Sequence, residues 1–393
     1  MVDAKRRATL IMLACALLAC SGAFAQETIR IGLILPLTGP FTPTGRQIEA
    51  GARLYMQQHG DTVAGRKIQL IVRDDGNVAD ATKRIAQELI VNEKAAILAG
   101  FGLTPLALAV APLSAQARVP QIVMGAATSI VTERSPYIAR TGMVAPALTV
   151  GVAEWAPRNG IKRVVTLVSD YAPGVDIEKA FIEQFTRAGG EVIAQLRVPL
   201  ANPDFAPFLQ RARDAKPEAI FVFVPAGQGS TLMKQFSERG MDQSGIKLIG
   251  TGDMTDDDIL NGIGDVSLGI VTSHHYSAAH PSAMNKHYVA AFKKANPGMR
   301  PNFMAMGGYD GMHLIYEALK KTHGATDGDA LIAAMKGRAW ESPRGPISID
   351  PETRDIVQNI YVRRVERMDG ELYNVEFATV QAVKDPVKAA AKK

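Results

Sequence analysis

Cysteine and long apolar runs are scarce in this 393-residue sequence, and each shortage excludes a class of protein. Both cysteines, Cys15 and Cys20, lie near the start of the chain, in a segment that we expect to be removed by cleavage after Ala25. The mature chain then has no disulfide, no thiol chemistry and no cysteine-ligated metal. Every later apolar run is interrupted before it reaches the roughly 20 residues that a membrane-spanning helix needs. We therefore expect a soluble mature chain.

Basic patches and catalytic motifs are missing as well. The formal net charge is +5 and aromatic residues make up 6% of the chain, without a basic run interleaved with aromatics, so nucleic-acid binding has little support. No G-x-S-x-G nucleophile elbow is present, and the spacing within Gly39–Gly45 does not fit a phosphate-binding loop. We expect His274, His275 and His280 to be exposed on loops and Asp256–Asp258 to match a helix dipole. The sequence thus predicts a protein that is not an enzyme and that holds neither metal nor cofactor.

The start of the chain has the pattern of a secretory leader. Three basic residues, Lys5–Arg7, precede the apolar run Ala8–Cys20, and Ala23–Ala25 offers a small-residue cleavage site. We interpret residues 1–25 as a signal peptide. The overlapping stretch Leu17–Gly22 also resembles a bacterial lipobox, in which Cys20 is acylated and becomes the mature N-terminus. Both interpretations place the protein outside the inner membrane, and we predict a periplasmic location.

After the leader, short β-type runs alternate with helical patterns in two similar sets. The first set runs from Ile29 to Met124 and the second from Arg163 to Ile249. Within the first set, Ile29–Leu35 is predicted to be a buried strand, and Ala79–Val91 and Thr104–Ala117 are predicted to be helices. This alternation predicts an α/β fold of two Rossmann-like lobes, each a parallel sheet covered by helices. Crossings near residues 142, 276 and 350 would join the lobes by a three-strand hinge, which is the architecture of a hinged clamp.

The crossings divide the chain into interleaved lobes. We assign residues 27–142 and 277–350 to the N-terminal lobe, and residues 143–276 and 351–383 to the C-terminal lobe. The remaining residues, 384–393, are rich in Ala and Lys. We expect this tail to be frayed and disordered.

Six loops that follow candidate strands are rich in small and hydroxylated residues, at the edge where open α/β sheets bind ligands. Small residues let backbone N–H groups approach a ligand, and helix N-termini favour a negative group such as a carboxylate. Thr44, Thr104 and Thr128 in these loops are also suited to cap helices, so both roles stay open. The convergence of the loops on one edge favours a binding site. The loops are residues 41–45, 100–105, 125–129, 169–174, 225–229 and 250–255.

Several separate motifs together resemble one known family, the leucine/isoleucine/valine-binding proteins. The motifs are Ile31-Gly32, Pro36–Pro40, Gly45, Gly51-Ala52, Asp74-Asp75 and Pro120–Thr128. Members of this family are periplasmic solute-binding components of ABC transporters and have a type I two-lobed fold. The resemblance covers essentially the whole mature chain. It implies a monomeric receptor, without catalytic activity, that works with a membrane permease and an ATPase.

The resemblance also implies how the first lobe holds a ligand. In the family, a hydroxyl and backbone amides of two strand-end loops hold the ligand carboxylate, and the loop after the first strand contributes an aromatic side chain in amino-acid binders. Neutral donors of this kind can together hold a charge in a partly dry cleft. In this chain the corresponding positions are Thr44, Thr104, Ala126, Ala127 and Thr128, with Phe41 nearby.

For the second lobe, the resemblance implies an aromatic ring and an acid that pairs with a ligand ammonium. Tyr171 matches the aromatic position and Asp253 is the best candidate for the acid, although Gly252 also aligns with it. Ala226 matches a second position at which amino-acid binders of the family carry an aromatic ring. Apolar sides of the pocket are expected from Leu103, Pro225 and Ala226. Two tyrosines complete the candidate set: Tyr276, for which hinge and ligand roles are both open, and Tyr309, which on its own fits a core position better.

Two ligand classes remain open from the sequence. The resemblance to the whole family implies a branched-chain or other aliphatic amino acid. The segments Gly100–Pro105 and Val168–Tyr171 also resemble the subgroup that captures aromatic carboxylates, which implies a benzoate-like or phenylpropanoid acid. A sensor module for a signalling partner and a periplasmic enzyme on the same fold are the competing functions.

Overall fold

A computed structural model describes residues 28–391 of the chain. The predicted signal peptide, Cys20 and the last two residues of the predicted tail lie outside these residues. Within them, every helix is too short or too polar to cross a bilayer. The strands are β1 Ile29–Leu35, β2 Thr62–Val63, β3 Arg66–Asp74, β4 Ile97–Gly100, β5 Gln121–Val123, β6 Ile138–Arg140, β7 Arg163–Ser169, β8 Glu191–Val198, β9 Ala219–Phe223, β10 Lys247–Thr251, β11 Val271–His274, β12 Ala339–Ser342, β13 Gly345–Ile349, β14 Ile356–Met368 and β15 Glu371–Val383.

The helices alternate with these strands, as the periodicity predicts. Several bounds agree with the sequence pattern residue for residue, including those of the second and third helices below. The α-helices are α1 Thr42–His59, α2 Ala79–Val91, α3 Thr104–Ala117, α4 Val150–Arg158, α5 Ala172–Arg187, α6 Ala206–Asp214, α7 Gly229–Glu238, α8 Leu260–Ile263, α9 Ala283–Ala295, α10 Phe303–Lys321, α11 Gly328–Met335 and α12 Pro386–Ala390. Short 3-10 helices span Ser129–Glu133, Ala145–Thr149, Gly252–Thr255 and Asp265–Ser267.

The first lobe is built on a six-stranded sheet with the order β2-β3-β1-β4-β5-β6. Its strands pair in parallel except for β2, which runs antiparallel to β3. Strand β1 contributes Leu33 to the core cluster on one face of the sheet and Ile34 to the cluster on the other. Burial on both faces explains why β1 is a continuous apolar run instead of an alternating one.

The second lobe is built on a nine-stranded sheet. Strands β8, β7, β9, β10 and β11 pair in parallel in that order, and β14, β13, β12 and β15 extend the sheet with antiparallel pairs. Two α/β sheets with mostly parallel strands confirm the predicted fold class. The chain passes from the first sheet to the second between β6 and β7, returns after β11 to helices that pack on α1, and enters the second sheet again at β12.

One predicted lobe boundary differs from the observed pairing. We expected residues 277–350 to belong wholly to the first lobe, and α9 and α10 do pack against α1 there. Strands β12 and β13 belong instead to the second sheet, because β13 pairs with β14 through Ile347–Ile349. Pairing satisfies the backbone hydrogen bonds of β13. The partner of a strand depends on long-range contacts that a local pattern does not record.

The C-terminal tail also differs from the prediction, because residues 385–390 are anchored and not frayed. Asp385 caps α12 by accepting the N–H of Val387 at 3.0 Å, and it accepts the hydroxyl of Ser129 at 3.1 Å. The ammonium group of Lys388 donates to Thr132 Oγ1 at 2.6 Å and to Asp355 Oδ2 at 2.7 Å. These partners lie far away in sequence, so the composition of the tail does not reveal them.

Candidate functional site

A cleft between the lobes collects the loops at the carboxyl ends of strands from both sheets. It is narrow in this arrangement, and most of the residues that line it are small or apolar. The first lobe lines the cleft with Thr44, Gly102, Leu103, Thr104, Gly125, Ala126 and Ala127; the second lobe with Tyr171, Pro173, Pro225, Ala226 and Asp253; and Met143 and Met304 complete the lining.

Most of the predicted site residues therefore meet in one place. Met143 and Met304 were missed. Met143 belongs to the first crossing, and Met304 is the second residue of α10, so neither lies in a loop after a strand. The start of α10, which Asn302 caps by accepting the N–H groups of Met304 and Ala305, was the available signal for Met304.

The first-lobe wall offers neutral hydrogen-bond donors. Helix α3 begins at Thr104, so the N–H groups of its first turn have no partner within the helix. The hydroxyl of Thr104 accepts the N–H of Thr128 at 3.5 Å and retains its own proton for a ligand. Among residues 28–391, those that line this wall carry no charged side chain. The wall thus suits a carboxylate, which neutral donors and a helix N-terminus stabilise.

The structure does not support helix capping by the three threonines. Phe41 is the N-cap of α1 and Leu103 that of α3, so Thr44 and Thr104 lie inside their helices. Thr128 precedes the 3-10 helix Ser129–Glu133, but within the described residues its side chain makes no cap hydrogen bond. The hydroxyls of Thr44, Thr104 and Thr128 are therefore not used as helix caps.

The two alanines of the first-lobe wall differ in what they can donate. The N–H of Ala126 donates to the carbonyl of Phe101 at 2.9 Å, which removes it from the predicted set of ligand donors. For Ala127, the structure gives no backbone partner for the N–H among residues 28–391. Of the two predicted amides, that of Ala127 is the one left for a ligand.

The second-lobe wall carries the polar side chains Tyr171 and Asp253. The ring of Tyr171 stacks on Phe223, with the ring centres 6.0 Å apart. Burial, together with the nearby charge of Asp253, raises the pKa of Tyr171 above its usual value, so its phenol stays protonated. The side chain can therefore offer both a ring face and a hydroxyl to a ligand.

Asp253 is buried beside a histidine. It is 1% exposed, and its Oδ2 lies 3.3 Å from Nε2 of His274 at the end of β11. His274 packs between His275 and Phe303. Burial lowers the pKa of His274, although Asp253 opposes this shift, so the imidazole is neutral near pH 7. The expectation that His274 and His275 are exposed on a loop is wrong, because β11 lies between β10 and β14 inside the sheet.

Further buried ionisable groups lie behind this wall. Asp256 accepts two hydrogen bonds from the amide of Asn302, at 2.9 and 3.0 Å, and burial raises its pKa to about 8. The guanidinium of Arg363 on β14 lies 3.9 Å from Asp257 Oδ2. The expected role of Asp256–Asp258 at a helix start is therefore wrong for its first two residues, which face buried partners instead.

Direct contacts hold the two lobes together at the mouth of the cleft. The hydroxyl of Thr128 and the N–H of Ser129, the latter at 3.1 Å, both donate to Asp176 on α5 of the second lobe. We call Thr128, Ser129 and Asp176 the latch. Leu200 of the second lobe packs against Phe41 and its apolar neighbours of the first. These contacts describe a closed arrangement of the lobes.

Four predicted site residues lie outside the cleft lining. Thr128 belongs to the latch, and Phe41 lies in the apolar contact beside the mouth. Tyr276 is buried below the second-lobe wall, where its hydroxyl donates to Asn285 Oδ1 at 3.1 Å. Tyr309 lies between α1 and α10, where its hydroxyl donates to Gln58 Oε1 at 2.7 Å. Local patterns identified these side chains as candidates, but packing decided which way each one points.

The comparisons with known proteins agree with this geometry. The model of a family described as periplasmic binding protein matches residues 28–371. A solute-binding protein of an ABC transporter from Rhodopseudomonas palustris BisB5, solved in complex with 3,4-dihydroxybenzoic acid, is 65% identical, with a TM-score of 0.90 over 92% of this chain and 99% of that one. Its counterpart from strain HaA2, in complex with p-hydroxybenzoic acid, is 41% identical, with a TM-score of 0.89 over 93% of this chain and 100% of that one.

Another relative is named after amino acids and not after an aromatic acid. The Leu/Ile/Val-binding protein homolog 6 of Brucella melitensis biotype 1 is 42% identical over 386 residues, which cover 97% of this chain and 98% of the relative. The similarities extend over both lobes and therefore include all the loops that form the cleft. On the family match, the two-lobed fold and these relatives, the chain belongs to the periplasmic binding protein family.

Proposed function

We propose that this protein is the solute-binding component of an ABC importer and that it captures a hydroxylated aromatic carboxylate between its lobes. One observation carries the proposal: a wall of neutral donors faces a wall with a tyrosine and a buried acid across a narrow cleft lined mostly by small and apolar residues. The protein that is 65% identical was solved with 3,4-dihydroxybenzoic acid, a ligand with a carboxylate at one end and hydroxyls at the other.

The first lobe would hold the ligand carboxylate. Thr104 supplies its hydroxyl and the first turn of α3, and Ala127 supplies a free N–H. Several hydrogen bonds to a charged group are needed to replace the water that the group loses on entering the cleft. Leu103, Pro225 and Ala226 would cover the faces of an aromatic ring, whose burial contributes the apolar part of the binding free energy.

The second candidate ligand is an aliphatic amino acid, which the name of the 42% identical relative favours. Its ammonium group would have to face Asp253 in the second-lobe wall. That carboxylate already lies 3.3 Å from a histidine nitrogen. The positions at which amino-acid binders of the family carry aromatic rings are here occupied by Thr44 and Ala226. Both features favour the aromatic acid.

In the proposed cycle, the ligand binds to one lobe, the lobes close, and the closed form docks on a permease that works with an ATPase. Closure requires contacts of the ligand with both lobes, since only differential affinity shifts an equilibrium between open and closed forms. The latch contacts would add to these. We further propose that the protein acts as a periplasmic monomer without catalytic activity, either free or anchored through Cys20.

Isothermal titration calorimetry tests the proposal directly. The protein purified after export should bind 3,4-dihydroxybenzoate and 4-hydroxybenzoate with dissociation constants in the micromolar range or below, and leucine at least about 100-fold more weakly. Chromatography of the recovered ligand should show it unchanged, as expected for a receptor. Tight binding of leucine, with no heat from either benzoate, would assign the cleft to amino acids.

A further inference from the structure

Position 252 lies at the second-lobe edge of the cleft, directly before the lining residue Asp253. The chain leaves β10 at Thr251 and turns through the 3-10 helix that starts at Gly252. A Cβ atom added to Gly252 would lie 1.6 Å from Nη2 of Arg363, 2.7 Å from its Cζ and 2.9 Å from Cβ of His274. The guanidinium thus occupies the space in which any side chain at position 252 would begin.

Arg363 is held firmly in that space. It is 0% exposed, and it donates through Nη1 to the carbonyl of Tyr276 and through Nη2 to Thr272 Oγ1 at 3.2 Å. Asp257 Oδ2 lies 3.9 Å from Nη1. Moving the guanidinium away would break these contacts and strand buried charge, which is costly. A fixed positive charge therefore lies behind the loop that carries Asp253.

This charge changes what Asp253 can recognise. The carboxylate lies 3.3 Å from His274 Nε2 and interacts with the charge of Arg363, so a cation inside the protein already faces it. It does not need a cation from the ligand. A ligand ammonium at this wall would be attracted by Asp253 but repelled by Arg363, and it would also lose its hydration. A hydroxyl carries no net charge and can donate its proton to the carboxylate in a charge-assisted hydrogen bond.

We propose that Asp253 accepts a hydrogen bond from a ligand hydroxyl, and that the Gly252–Arg363 arrangement makes this wall selective for hydroxyl over ammonium groups. The inference rests on the proposed function, since it assumes that the ligand carboxylate faces the first lobe. This inference narrows the proposed ligand class to benzoates that carry a hydroxyl group at the para or meta position, away from the carboxylate. Asp253 is then a ligand-binding residue, and Arg363 determines specificity without touching the ligand.

A matched series of ligands tests this in the wild-type protein by calorimetry. We expect 4-hydroxybenzoate to bind at least about 10-fold more tightly than 4-fluorobenzoate, which is similar in size but has no proton to donate. We expect 4-(hydroxymethyl)benzoate to bind more tightly than 4-(aminomethyl)benzoate, which differs only in the terminal group. Equal affinities within the first pair, or the reverse order in the second, would overturn the inference.

The variant Asp253→Asn tests the same contact from the side of the protein. We expect it to lose about 10-fold in affinity for 4-hydroxybenzoate and no more than about 3-fold for 4-fluorobenzoate, because only the first ligand donates to the carboxylate. Asp242→Asn, an exposed acid of the same lobe, is the control and should change neither value. Equal losses for both ligands would show that Asp253 has only a structural role.

The outcomes separate this inference from the proposed function. If the wild-type protein binds no benzoate of the series, the proposed function fails and the inference fails with it. If it binds them all with equal affinity, the proposed function stands and the inference alone is wrong. Should Asp253→Asn not fold, the ligand series in the wild-type protein decides the question.

Discussion

The two walls of the cleft are built from different chemistry. The first-lobe wall consists of small residues, two threonine hydroxyls and a helix N-terminus. The second-lobe wall places Asp253 in front of a buried network that contains Arg363, His274 and Asp256. If the ligand carboxylate faces the first lobe, the charged end of the ligand meets neutral donors and its neutral end meets charge. No ligand charge then has to be balanced by an unpaired charge of the protein, and unpaired buried charges are costly.

Removing the charge behind the second-lobe wall should have the largest effect on stability. Arg363→Met leaves Asp257 and Asp253 without the buried cation that they face, so we expect a loss of about 3–5 kcal/mol in the free energy of unfolding. Arg364→Met on the same strand is the matched control, because Arg364 is partly exposed and pairs with Glu366 at 3.7 Å. This control should cost less than about 1 kcal/mol. Similar urea midpoints and m-values for the two variants would contradict the difference between the walls.

Changing the first-lobe wall should affect binding more than folding. Thr104→Val keeps the shape of the side chain but removes the hydroxyl, so we expect affinity for 4-hydroxybenzoate to fall about 10-fold, as for loss of a hydrogen bond to a charged group. The decrease should be the same for 4-fluorobenzoate, because both ligands have the carboxylate. Thr62→Val, on the short strand β2 far from the cleft, should leave binding unchanged. Unaltered calorimetric affinity in Thr104→Val would remove Thr104 from the site.

Weakening the latch should lower the affinity for every ligand by the same factor. Asp176→Asn weakens the contact with Thr128 and Ser129 that joins the lobes, so we expect a loss of roughly 3- to 10-fold in affinity, since hydrogen bonds to charged groups are stronger than neutral ones. The ratio between 4-hydroxybenzoate and 4-fluorobenzoate should not change. Glu183→Gln, an exposed acid on the same helix, is the control. A change in the ratio would place Asp176 among the ligand-contacting residues.

The pH dependence of stability should also differ between the lobes. Burial raises the pKa of Asp256 in the second lobe to about 8 and that of Asp75 in the first to about 6. A carboxyl group whose pKa is higher in the folded than in the unfolded protein stabilises the folded state while it is protonated. This stabilisation is complete below about pH 4 and is lost as the pH rises through the raised pKa.

Asp256→Asn should therefore reduce the fall in unfolding free energy between pH 4 and pH 8. Asp75→Asn should have a smaller effect, confined to the range below about pH 6. Urea titrations of both variants and the wild type across this range provide the measurement. A pH profile of Asp256→Asn that parallels the wild type would show that Asp256 is ionised in the folded protein at neutral pH.

The sequence was informative where structure depends on neighbours along the chain. Apolar runs such as Ile29–Leu35 identified buried strands, and the start of α3 at Thr104 was predicted to the residue. Loops of small residues at strand ends then pointed to most of the cleft lining. Strand β11 and helix α11 were missed, because β11 is only four residues long with a polar second half, Ser273-His274, and α11 is short.

Contacts between residues that lie far apart along the chain could not be predicted from the sequence. Thr128 was predicted to hold the ligand, but its hydroxyl donates a hydrogen bond to Asp176, which lies 48 residues further along the chain. The lobe that strands β12 and β13 join, and the anchoring of Lys388, depend in the same way on partners far along the chain. Local periodicity does not indicate which residues far along the chain become partners.

The sequence alone determined the two-lobed α/β architecture, the restriction of both cysteines to the first 20 residues and the loops in which a ligand site would lie. Each of these follows from local composition and periodicity. Only the tertiary structure decided which side chains face the cleft, and that Arg363 fills the space beside Gly252. The reason is physical: the direction of a side chain and the charge around a buried acid are set by packing between segments that lie more than a hundred residues apart.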